Sequence, residues 1–445
     1  MGLKVIIAGG SVAGLTLALV LQHAGVDFEL LEKGDFAPQL GASIGIQPHG
    51  ARILDQLGLW EEISSQIVPL RYRKHYDSEG RLFDEDEVTG KIADLEGLPV
   101  AFIERCEFLR ILHSNLTDKS RLHAHKEVCS YEETESGVTV TVSDGSTYKG
   151  TILVGADGVH SKTRKLMSEK LRPKNKELWK NLQECYTSEY KCVFAVTRND
   201  QASPFMADAR AVFTYRKDYS TIAATGVKGL VFWFLFVKTP FSCTPHCPRF
   251  SEEDMDALIE EYGDDQIVPG ATIRDFYNAR VKASLVPLEE GIVQKWSHGR
   301  VVLIGDAVHK VTINAGLGGN MAIEGVARLT NLLLPLLHNS SDLSTEQLEG
   351  VFSQYEIEQK ARAQTTLTAS AGITRAESEQ NWLYRAVTRW VVPTLSDNVK
   401  AKLYTAYSSG GTYLNFLPRS ARDISRLEAR RASQSKSWVS WALGY

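Results

Sequence analysis

The hydrophobic and polar positions at the start of the chain predict a strand, a tight turn, a helix and a second strand. Residues 3–8 (LKVIIA) form a short apolar run that is typical of a buried strand. The segment 9–14 (GGSVAG) predicts a turn, and residues 15–23 predict a helix. Residues 28–31 (FELL) predict the next strand, which ends at Glu32. This order is a complete βαβ unit and favours an α/β fold.

Beyond this unit, helical and strand-forming patterns alternate. The predicted elements are helices at 48–59, 104–116 and 319–338 and strands at 138–142, 151–154 and 301–304. The segment 185–285 is rich in strand formers and aromatic residues, which indicates a sheet with one covered face. Its longest apolar run, 227–237, predicts one buried strand. The tail from 345 to 445 is mostly helical in pattern, with Pro393 and Pro418 as breaks.

Composition narrows the class of protein. The chain has 43% apolar and 23% charged residues, which is ordinary for a globular protein. Its net charge of −4 argues against nucleic acid as a partner, because proteins that bind nucleic acid usually carry a basic excess. The run 227–237 is far shorter than a membrane helix requires. The first apolar run is short and lacks a basic leader, so we expect no signal peptide.

The cysteines indicate a reducing compartment, and we expect a cytoplasmic protein. They are scattered through the chain at Cys106, Cys129, Cys185, Cys192, Cys243 and Cys247. Cys243, His246 and Cys247 resemble half of a metal site, but the sequence offers no second pair of ligands. We therefore expect no metal.

The first candidate site is the turn of the opening βαβ unit. Gly9 and Gly14 allow the backbone to approach a pyrophosphate, which then lies at the N-terminus of the following helix. Glu32, at the end of the second strand, follows at about the spacing expected for an acid that accepts hydrogen bonds from a ribose. Ser11 replaces the usual middle glycine and is small enough to permit the approach. The alternative is a plain packing turn.

The second and third candidates each place an acid after a buried strand. Asp157 follows the strand at 152–154 in the sequence GADG, for which the alternative is an ordinary Asp-Gly turn. Asp306 follows the strand at 301–304. A glycine-rich loop then opens a helix, and its candidate residues are Gly318, Gly319 and Asn320. The alternative is a generic strand–loop–helix unit.

With these three motifs in this order, the chain resembles the flavoprotein monooxygenases of the p-hydroxybenzoate hydroxylase type over roughly residues 3–370. The resemblance implies FAD as cofactor, NADPH (or NADH) as a transient reductant and O2 as co-substrate. It implies that Asp157 contacts FAD and NADPH, that Asp306 contacts the ribityl chain and that Arg105 contacts FAD. The segment 41–48, which includes Gly45, resembles the mobile loop beside the flavin in that family.

A narrower resemblance rests on residues 41–59, 231–236, 296–300 and 309–310, which look like segments of fungal natural-product monooxygenases. That group includes epoxidases of indole-diterpene and meroterpenoid pathways and indole-alkaloid oxygenases. The resemblance implies epoxidation or hydroxylation of an indole or a prenyl olefin by a C4a-hydroperoxyflavin in a dry pocket. The alternatives are a flavin-dependent oxidase and a non-redox, flavin-bound cyclase on the same fold.

Two side chains are candidates for catalysis, and one position departs from the family. Lys191 stands where related fungal enzymes often have arginine, and it would polarise the substrate; the alternative is a solvent-facing strand residue. Tyr215 is a second pocket candidate, with a structural role as the alternative. Ile313 stands where these enzymes usually have proline beside the flavin. The aromatic residues at 232–236 would either line the pocket with alternate side chains or form ordinary core.

The resulting expectation is an α/β chain with an α+β substrate region. A Rossmann-like FAD-binding domain would cover 1–182, with part of the substrate sheet inserted at about 65–104, and would continue at 291–370. A β-rich substrate domain would cover 183–290, and a helical region 371–445. Trp438, Trp441 and nearby basic residues allow weak contact with a membrane, but a solvated helix packed on the FAD domain is favoured.

Overall fold

The computed structural model describes residues 3–39, 41, 43–339 and 342–428. In chain order the strands are β1 (Lys4–Ala8), β2 (Asp27–Leu31), β3 (Ser43–Ile46), β4 (Tyr72–Tyr76), β5 (Leu82–Asp86), β6 (Ala101–Glu104), β7 (Leu122–His123), β8 (Val128–Glu133), β9 (Val138–Val142), β10 (Thr147–Gly150), β11 (Ile152–Gly155), β12 (Thr187–Arg198), β13 (Arg210–Arg216), β14 (Tyr219–Val227), β15 (Leu230–Cys243), β16 (Gln266–Val268), β17 (Ala271–Thr272), β18 (Arg280–Ile292), β19 (Ser297–His298), β20 (Val301–Leu303) and β21 (His309–Lys310).

The helices surround these strands. They are α1 (Val12–His23), α2 (Pro48–Gln56), α3 (Trp60–Ser64), α4 (Val88–Glu96), α5 (Arg105–Ser114), α6 (Lys162–Leu171), α7 (Lys176–Gln183), α8 (Glu252–Tyr262), α9 (Ile273–Asn278), α10 (Gly318–Asn339), α11 (Thr345–Glu377), α12 (Trp382–Ala386) and α13 (Asp397–Ser409). Short 3-10 helices cover Lys119–Arg121, Gly305–Ala307 and Val392–Thr394, and a π-helix covers Val387–Val391.

A six-stranded sheet carries the opening βαβ unit. Its order is β19-β20-β11-β1-β2-β7, and neighbouring strands are parallel except for the β19–β20 pair at one edge. Val5 and Ile7 of β1 join the core that also contains α1 and α10, whereas Ile6 and Ala8 pack against the three-stranded sheet β8–β10. The predicted α/β fold with a Rossmann-like opening is confirmed.

An eight-stranded sheet forms the second large layer, in the order β21-β18-β12-β15-β14-β13-β4-β5. The strands β4 and β5 come from early in the chain, and the remaining strands come from Thr187 onward, so the chain enters this sheet twice. One face of the sheet carries the aromatic residues of β15 at even-numbered positions. The opposite face packs against α8 and α9. The sheet therefore has two buried faces with different neighbours.

The buried strand predicted at about 227–237 is present, but it begins at Leu230, later than predicted. Val227 ends β14, Lys228 and Gly229 form the turn of a hairpin, and Leu230 begins β15. Gly229 has a φ of +77°, a value that glycine adopts without the steric cost of a side chain. Because both strands of the hairpin are apolar near this short turn, hydrophobicity alone did not reveal the reversal of the chain.

The C-terminal part of the described chain is helical, as expected. The long helix α11 packs along α10, and Pro393 lies in the 3-10 helix that follows the π-helix. Among the residues that the structure describes, no helix combines the length and the apolar character needed to cross a bilayer. Trp438 and Trp441, on which the expectation of weak membrane contact rested, lie outside the described residues.

Candidate cofactor and substrate cavity

A cavity of about 770 Å³ lies where the carboxyl ends of β1 and β2, the N-termini of α1 and α10 and the aromatic face of the large sheet meet. Most of the residues predicted to contact a cofactor line it. These are Gly9, Ser11, Glu32, Gly45, Arg105, Asp157, Asp306, Gly318 and Gly319. Gly14 and Asn320 lie outside the lining, as do the two catalytic candidates, Lys191 and Tyr215.

The turn after β1 depends on glycine for two steric reasons. A Cβ atom on Gly9, whose φ is +107°, would lie 2.5 Å from the carbonyl oxygen of Ala156. A Cβ atom on Gly14 would lie 1.8 Å from the carbonyl oxygen of Gly9. The second contact shows that Gly14 lets α1 pack onto the turn. Its role is to shape the cavity wall from behind, and α1 begins at Val12, earlier than the sequence predicted.

The N-termini of α1 and α10 open on the same cavity. The side chain of Ser11 does not cap α1, and neither helix has an acidic residue in its first turn. Backbone N–H groups at the start of a helix carry partial positive charge and lack partners within the helix. Two such ends in one cavity are suited to the negative charge of a pyrophosphate and to the electron-rich edge of a reduced flavin.

Glu32 is held in place by the backbone around it. One carboxylate oxygen accepts a hydrogen bond from the N–H of Gly10 at 2.6 Å, and the other accepts from the N–H of Gly34 at 2.9 Å. A carboxylate oxygen accepts more than one hydrogen bond, so capacity is left for ribose hydroxyl groups. The geometry fits the role predicted for this acid.

Ser11 and Arg105 form a pair that explains why serine fits at the middle position of the motif. The guanidinium of Arg105 donates a hydrogen bond to the hydroxyl of Ser11 at 2.8 Å. Burial lowers the pKa of Arg105, while the negative charges of Asp306 and Glu32 oppose this shift. Ser11 thus positions a cation on the cavity wall, a contact that glycine would not provide.

The two aspartates, Asp157 and Asp306, differ in the partners that their carboxylates already have. Asp157 accepts from the N–H of Thr163 at 2.8 Å, from the Thr163 hydroxyl at 2.9 Å and from the Ser161 hydroxyl, so it holds the start of α6. Asp306 forms an ion pair with Lys310 at 2.5 Å, and both residues line the cavity. The sequence reasoning missed Lys310, although its position four residues after an acid was a visible signal.

Asn320 connects two walls of the cavity without lining it. Its side-chain nitrogen donates to the carbonyl oxygens of Gly45 at 2.9 Å and Gly316 at 2.8 Å, and its oxygen accepts from the N–H of Gln47 at 3.0 Å. The side chain is buried. Asn320 therefore positions β3 and the residue that follows it against the glycine-rich loop before α10.

The other end of the cavity is apolar. Phe102, Phe194, Phe234 and Ile313 line it. The ring centroids of Phe194 and Phe234 are 5.6 Å apart in an edge-to-face arrangement, a favourable geometry for aromatic pairs. Sequence reasoning left open whether the aromatic residues at 232–236 line a pocket or form ordinary core; of these, Phe234 lines the cavity. It missed Phe102 and Phe194. The alternation along β12 was the signal that would have found Phe194.

Lys191 lies on the other face of the large sheet. It precedes Cys192 on β12, and Cys192 belongs to the cluster that faces the cavity, so Lys191 points the opposite way. Its ammonium group lies 5.4 Å from the ring centroid of Phe250, which packs with α8 and α9. The structure does not bring Lys191 to the cavity, and we do not carry forward its catalytic role.

Tyr215 belongs to a buried polar cluster away from the cavity lining. Its hydroxyl lies 3.0 Å from Nδ1 of His75, and His75 Nε2 lies 3.8 Å from Asp86. Burial raises the pKa of Tyr215 well above its usual value, so the phenol stays neutral. His75, Asp84 and Asp86 are close enough to resemble a metal site, but Arg73 and Lys400 already form ion pairs with the two carboxylates. The cluster therefore holds β4, β5 and α13 together.

Comparisons with known proteins agree with a cavity that binds a dinucleotide cofactor. The sequence profile of the family described as FAD binding domain matches residues 2–370. The FAD-dependent monooxygenase spyC of Aspergillus fumigatus is 35% identical over 98% of this chain and 92% of its own length. The FAD-dependent monooxygenase olcE of Penicillium canescens is 37% identical over 94% of this chain and 90% of its own length.

Solved structures share the fold. Klebsiella pneumoniae HpxO, complexed with FAD and uric acid, has a TM-score of 0.74 at 19% identity and covers 92% of this chain and 97% of its own. The p-nitrophenol 4-monooxygenase PnpA of Pseudomonas putida has a TM-score of 0.72 at 17% identity, over 92% of this chain and 98% of its own. Sequence, fold and cavity agree, and the chain belongs to the family of FAD-dependent monooxygenases that includes these fungal relatives.

Proposed function

We propose that the protein uses FAD, NAD(P)H and O2 to epoxidise or hydroxylate an electron-rich double bond, in an indole or a prenyl olefin, of a natural product. The observation that carries the proposal is one continuous cavity that joins a dinucleotide-type end to an aromatic, apolar end. A flavin monooxygenase needs both ends, because cofactor and substrate must meet in a site that excludes water. The names of the fungal relatives support the monooxygenase class.

The residues present fit FAD. Gly9 and Ser11 at the start of α1 and Gly318 and Gly319 at the start of α10 would hold its anionic parts, and Glu32 would accept from its ribose. Arg105 and Asp306 would complete the binding set, with Asn320 and Gly14 supporting the walls from behind. Bound FAD would supply the two-electron redox chemistry and the activation of O2. The chain itself would position the cofactor and the substrate, provide charged partners for the cofactor and exclude water from the cavity.

The apolar end favours an apolar or aromatic substrate. Phe102, Phe194, Phe234 and Ile313 offer flat rings and an aliphatic side chain, which pack well against an indole or a prenyl group. These apolar side chains would exclude water from the oxidising centre, and exclusion of water suppresses wasteful side reactions. In this proposal no side chain acts as a nucleophile; the side chains orient the double bond. Ile313, in place of proline, adds a branched aliphatic wall.

We also propose that the enzyme acts in the cytoplasm with NADPH or NADH as a transient reductant. All six cysteines are free thiols, which is typical of a reducing compartment. Lys33 and Lys162 line the cavity and form no ion pair with another described residue. Their ammonium groups would be free to pair with the phosphates of a nicotinamide nucleotide.

An anaerobic titration tests the proposal. The purified protein would be mixed with NADPH or NADH, with and without indole and prenylated-arene extracts, and the visible flavin band would be followed. We expect bleaching that one extract accelerates, followed by an oxygenated product when air is admitted. A flavin that is bleached only by a substrate would indicate an oxidase. A bound flavin that no donor bleaches would indicate non-redox chemistry, and either result would overturn the proposal.

A further inference from the structure

The helical segment that follows α11 is amphipathic with its apolar side turned outward. Trp382 and Trp390 are 79% and 73% exposed, and both are in this segment. An exposed apolar patch extends from α12 into the π-helix that continues it. The patch consists of Trp382, Leu383, Val387, Trp390 and Val391.

The polar side of the same segment is turned inward. Arg389 donates to Glu379 at 2.9 Å and lies 4.1 Å from the ring centroid of Phe83. The side chains of Arg389 and Glu379 are both largely buried. A surface helix of a globular protein normally buries its apolar stripe and exposes its charges. Here a buried ion pair fixes the opposite orientation, so the exposure of the apolar patch is built into the fold.

We propose that the apolar patch docks this protein onto the surface of an anionic lipid bilayer. Tryptophan is favoured at the boundary between lipid headgroups and acyl chains, because its ring is apolar and its N–H is polar. A helix with Trp, Leu and Val on one side lies in this interface with its apolar side inserted. Val399 and Leu403, on the next helix, extend the exposed apolar character of the region.

Charge complementarity selects an anionic surface. Lys402 on α13 is exposed to solvent. Arg385 and Arg389 share the single carboxylate of Glu379, which leaves one excess positive charge beside the patch. Basic residues next to an inserted apolar face add attraction to anionic headgroups. This inference concerns where the enzyme works and does not depend on the proposed substrate.

Sedimentation with vesicles tests the docking. The full-length protein would be incubated with sucrose-loaded vesicles of phosphatidylcholine alone or of phosphatidylcholine with phosphatidylserine. We expect binding to the anionic vesicles and a loss of about tenfold or more in apparent affinity for the double variant Trp382→Ser/Trp390→Ser. Bound flavin and melting temperature would show that this variant is folded.

Matched variants make the result specific. Phe241→Ser and Ile357→Ser remove apolar side chains that are 67% and 66% exposed elsewhere, and they should bind vesicles like the natural protein. Trp382→Phe/Trp390→Phe should retain most of the affinity. Three results would overturn the proposal: no binding of the natural protein at millimolar lipid, equal binding of the double serine variant, or a dimer in light scattering that only the patch variants abolish.

Discussion

The two ends of the cavity are built by different means. At the dinucleotide end the wall is mostly backbone, made of glycine turns and helix N-termini, and Glu32 and Arg105 are held by hydrogen bonds to the turn after β1. At the apolar end the wall is made of side chains from β6, β12, β15 and the loop before α10. The first end depends on local chain geometry, and the second depends on which face of a sheet each residue occupies. Substitutions should therefore separate cofactor binding from substrate handling.

Gly14→Val should have the largest effect. Its Cβ would overlap the carbonyl oxygen of Gly9, so either α1 or the turn must move. We expect the purified variant to retain less than about a tenth of the flavin of the natural protein, measured by absorbance against protein concentration. Gly350→Ala is the control, because a Cβ there meets nothing within 4 Å. A full complement of flavin in the valine variant would mean that the dinucleotide end binds FAD even when the turn after β1 is displaced.

Glu32→Ala should weaken FAD binding by about tenfold to a hundredfold, since the carboxylate supports the turn and would accept from the ribose. Flavin fluorescence during titration of the stripped protein measures the affinity. Glu29→Gln, on the strand β2 that precedes Glu32, removes a carboxylate that pairs with Lys4 and should change the affinity little. Unchanged affinity in the alanine variant would exclude Glu32 from the cofactor site.

Phe194→Ala should disturb the apolar end and leave the dinucleotide end intact. We expect normal flavin content and a several-fold larger share of NADPH electrons recovered as hydrogen peroxide, because water gains access to the cavity. Lys191→Ala, on the opposite face of the same strand, should leave this share unchanged. If both variants raise the share of electrons recovered as hydrogen peroxide equally, the effect does not depend on which face of the sheet carries the side chain.

Ser11→Ala should have a smaller effect at the dinucleotide end. It removes one hydrogen bond to Arg105 and should weaken FAD binding by about three- to tenfold. Ser11→Gly, which restores the common motif, should weaken binding similarly if orientation of Arg105 is what the hydroxyl provides. Tighter binding in the glycine variant would show that closer backbone approach matters more.

The loop before α10 borders both ends of the cavity, and a buried carboxyl group, that of Glu377, holds it through Asn314. Burial is the main cause that raises the pKa of Glu377 to about 8, and its carboxyl accepts from Asn314, next to Ile313. The native state therefore holds a proton that the unfolded chain releases near pH 4.5. This contribution to stability is complete below that pH and is lost as the pH rises through about 8.

Glu377→Gln removes this dependence on pH. Between pH 6 and 8.5 the melting temperature of the natural protein should fall by a few degrees more than that of the variant. Thermal unfolding followed by circular dichroism at several pH values measures the difference. Identical pH profiles for the two proteins would mean that Glu377 is ionised in the folded state.

Parts of the site were predictable because they are local. The βαβ unit, Glu32 at the end of β2 and the strands leading to Asp157 and Asp306 follow from short-range hydrophobic patterns and glycine spacing. Arg105, at the start of α5, was named only because the resemblance to the hydroxylase family implied it. Local patterns did not show that Asp157 is engaged with Ser161 and Thr163.

Tertiary structure decided everything that depends on distant partners. The register between β12 and β15 sets Phe194 beside Phe234 and turns Lys191 away, and a strand pattern does not say which of its two faces meets the cofactor. From the sequence alone, Arg389 would be placed on the exposed face of an amphipathic helix. In the structure it is buried by its contacts with Glu379 and Phe83. By itself the sequence determined the fold class and the cofactor motifs, because these rest on contacts close along the chain. The apolar wall of the cavity and the exposed apolar patch depend on contacts between segments that are far apart in the sequence. A local sequence pattern carries no information about the geometry of such contacts.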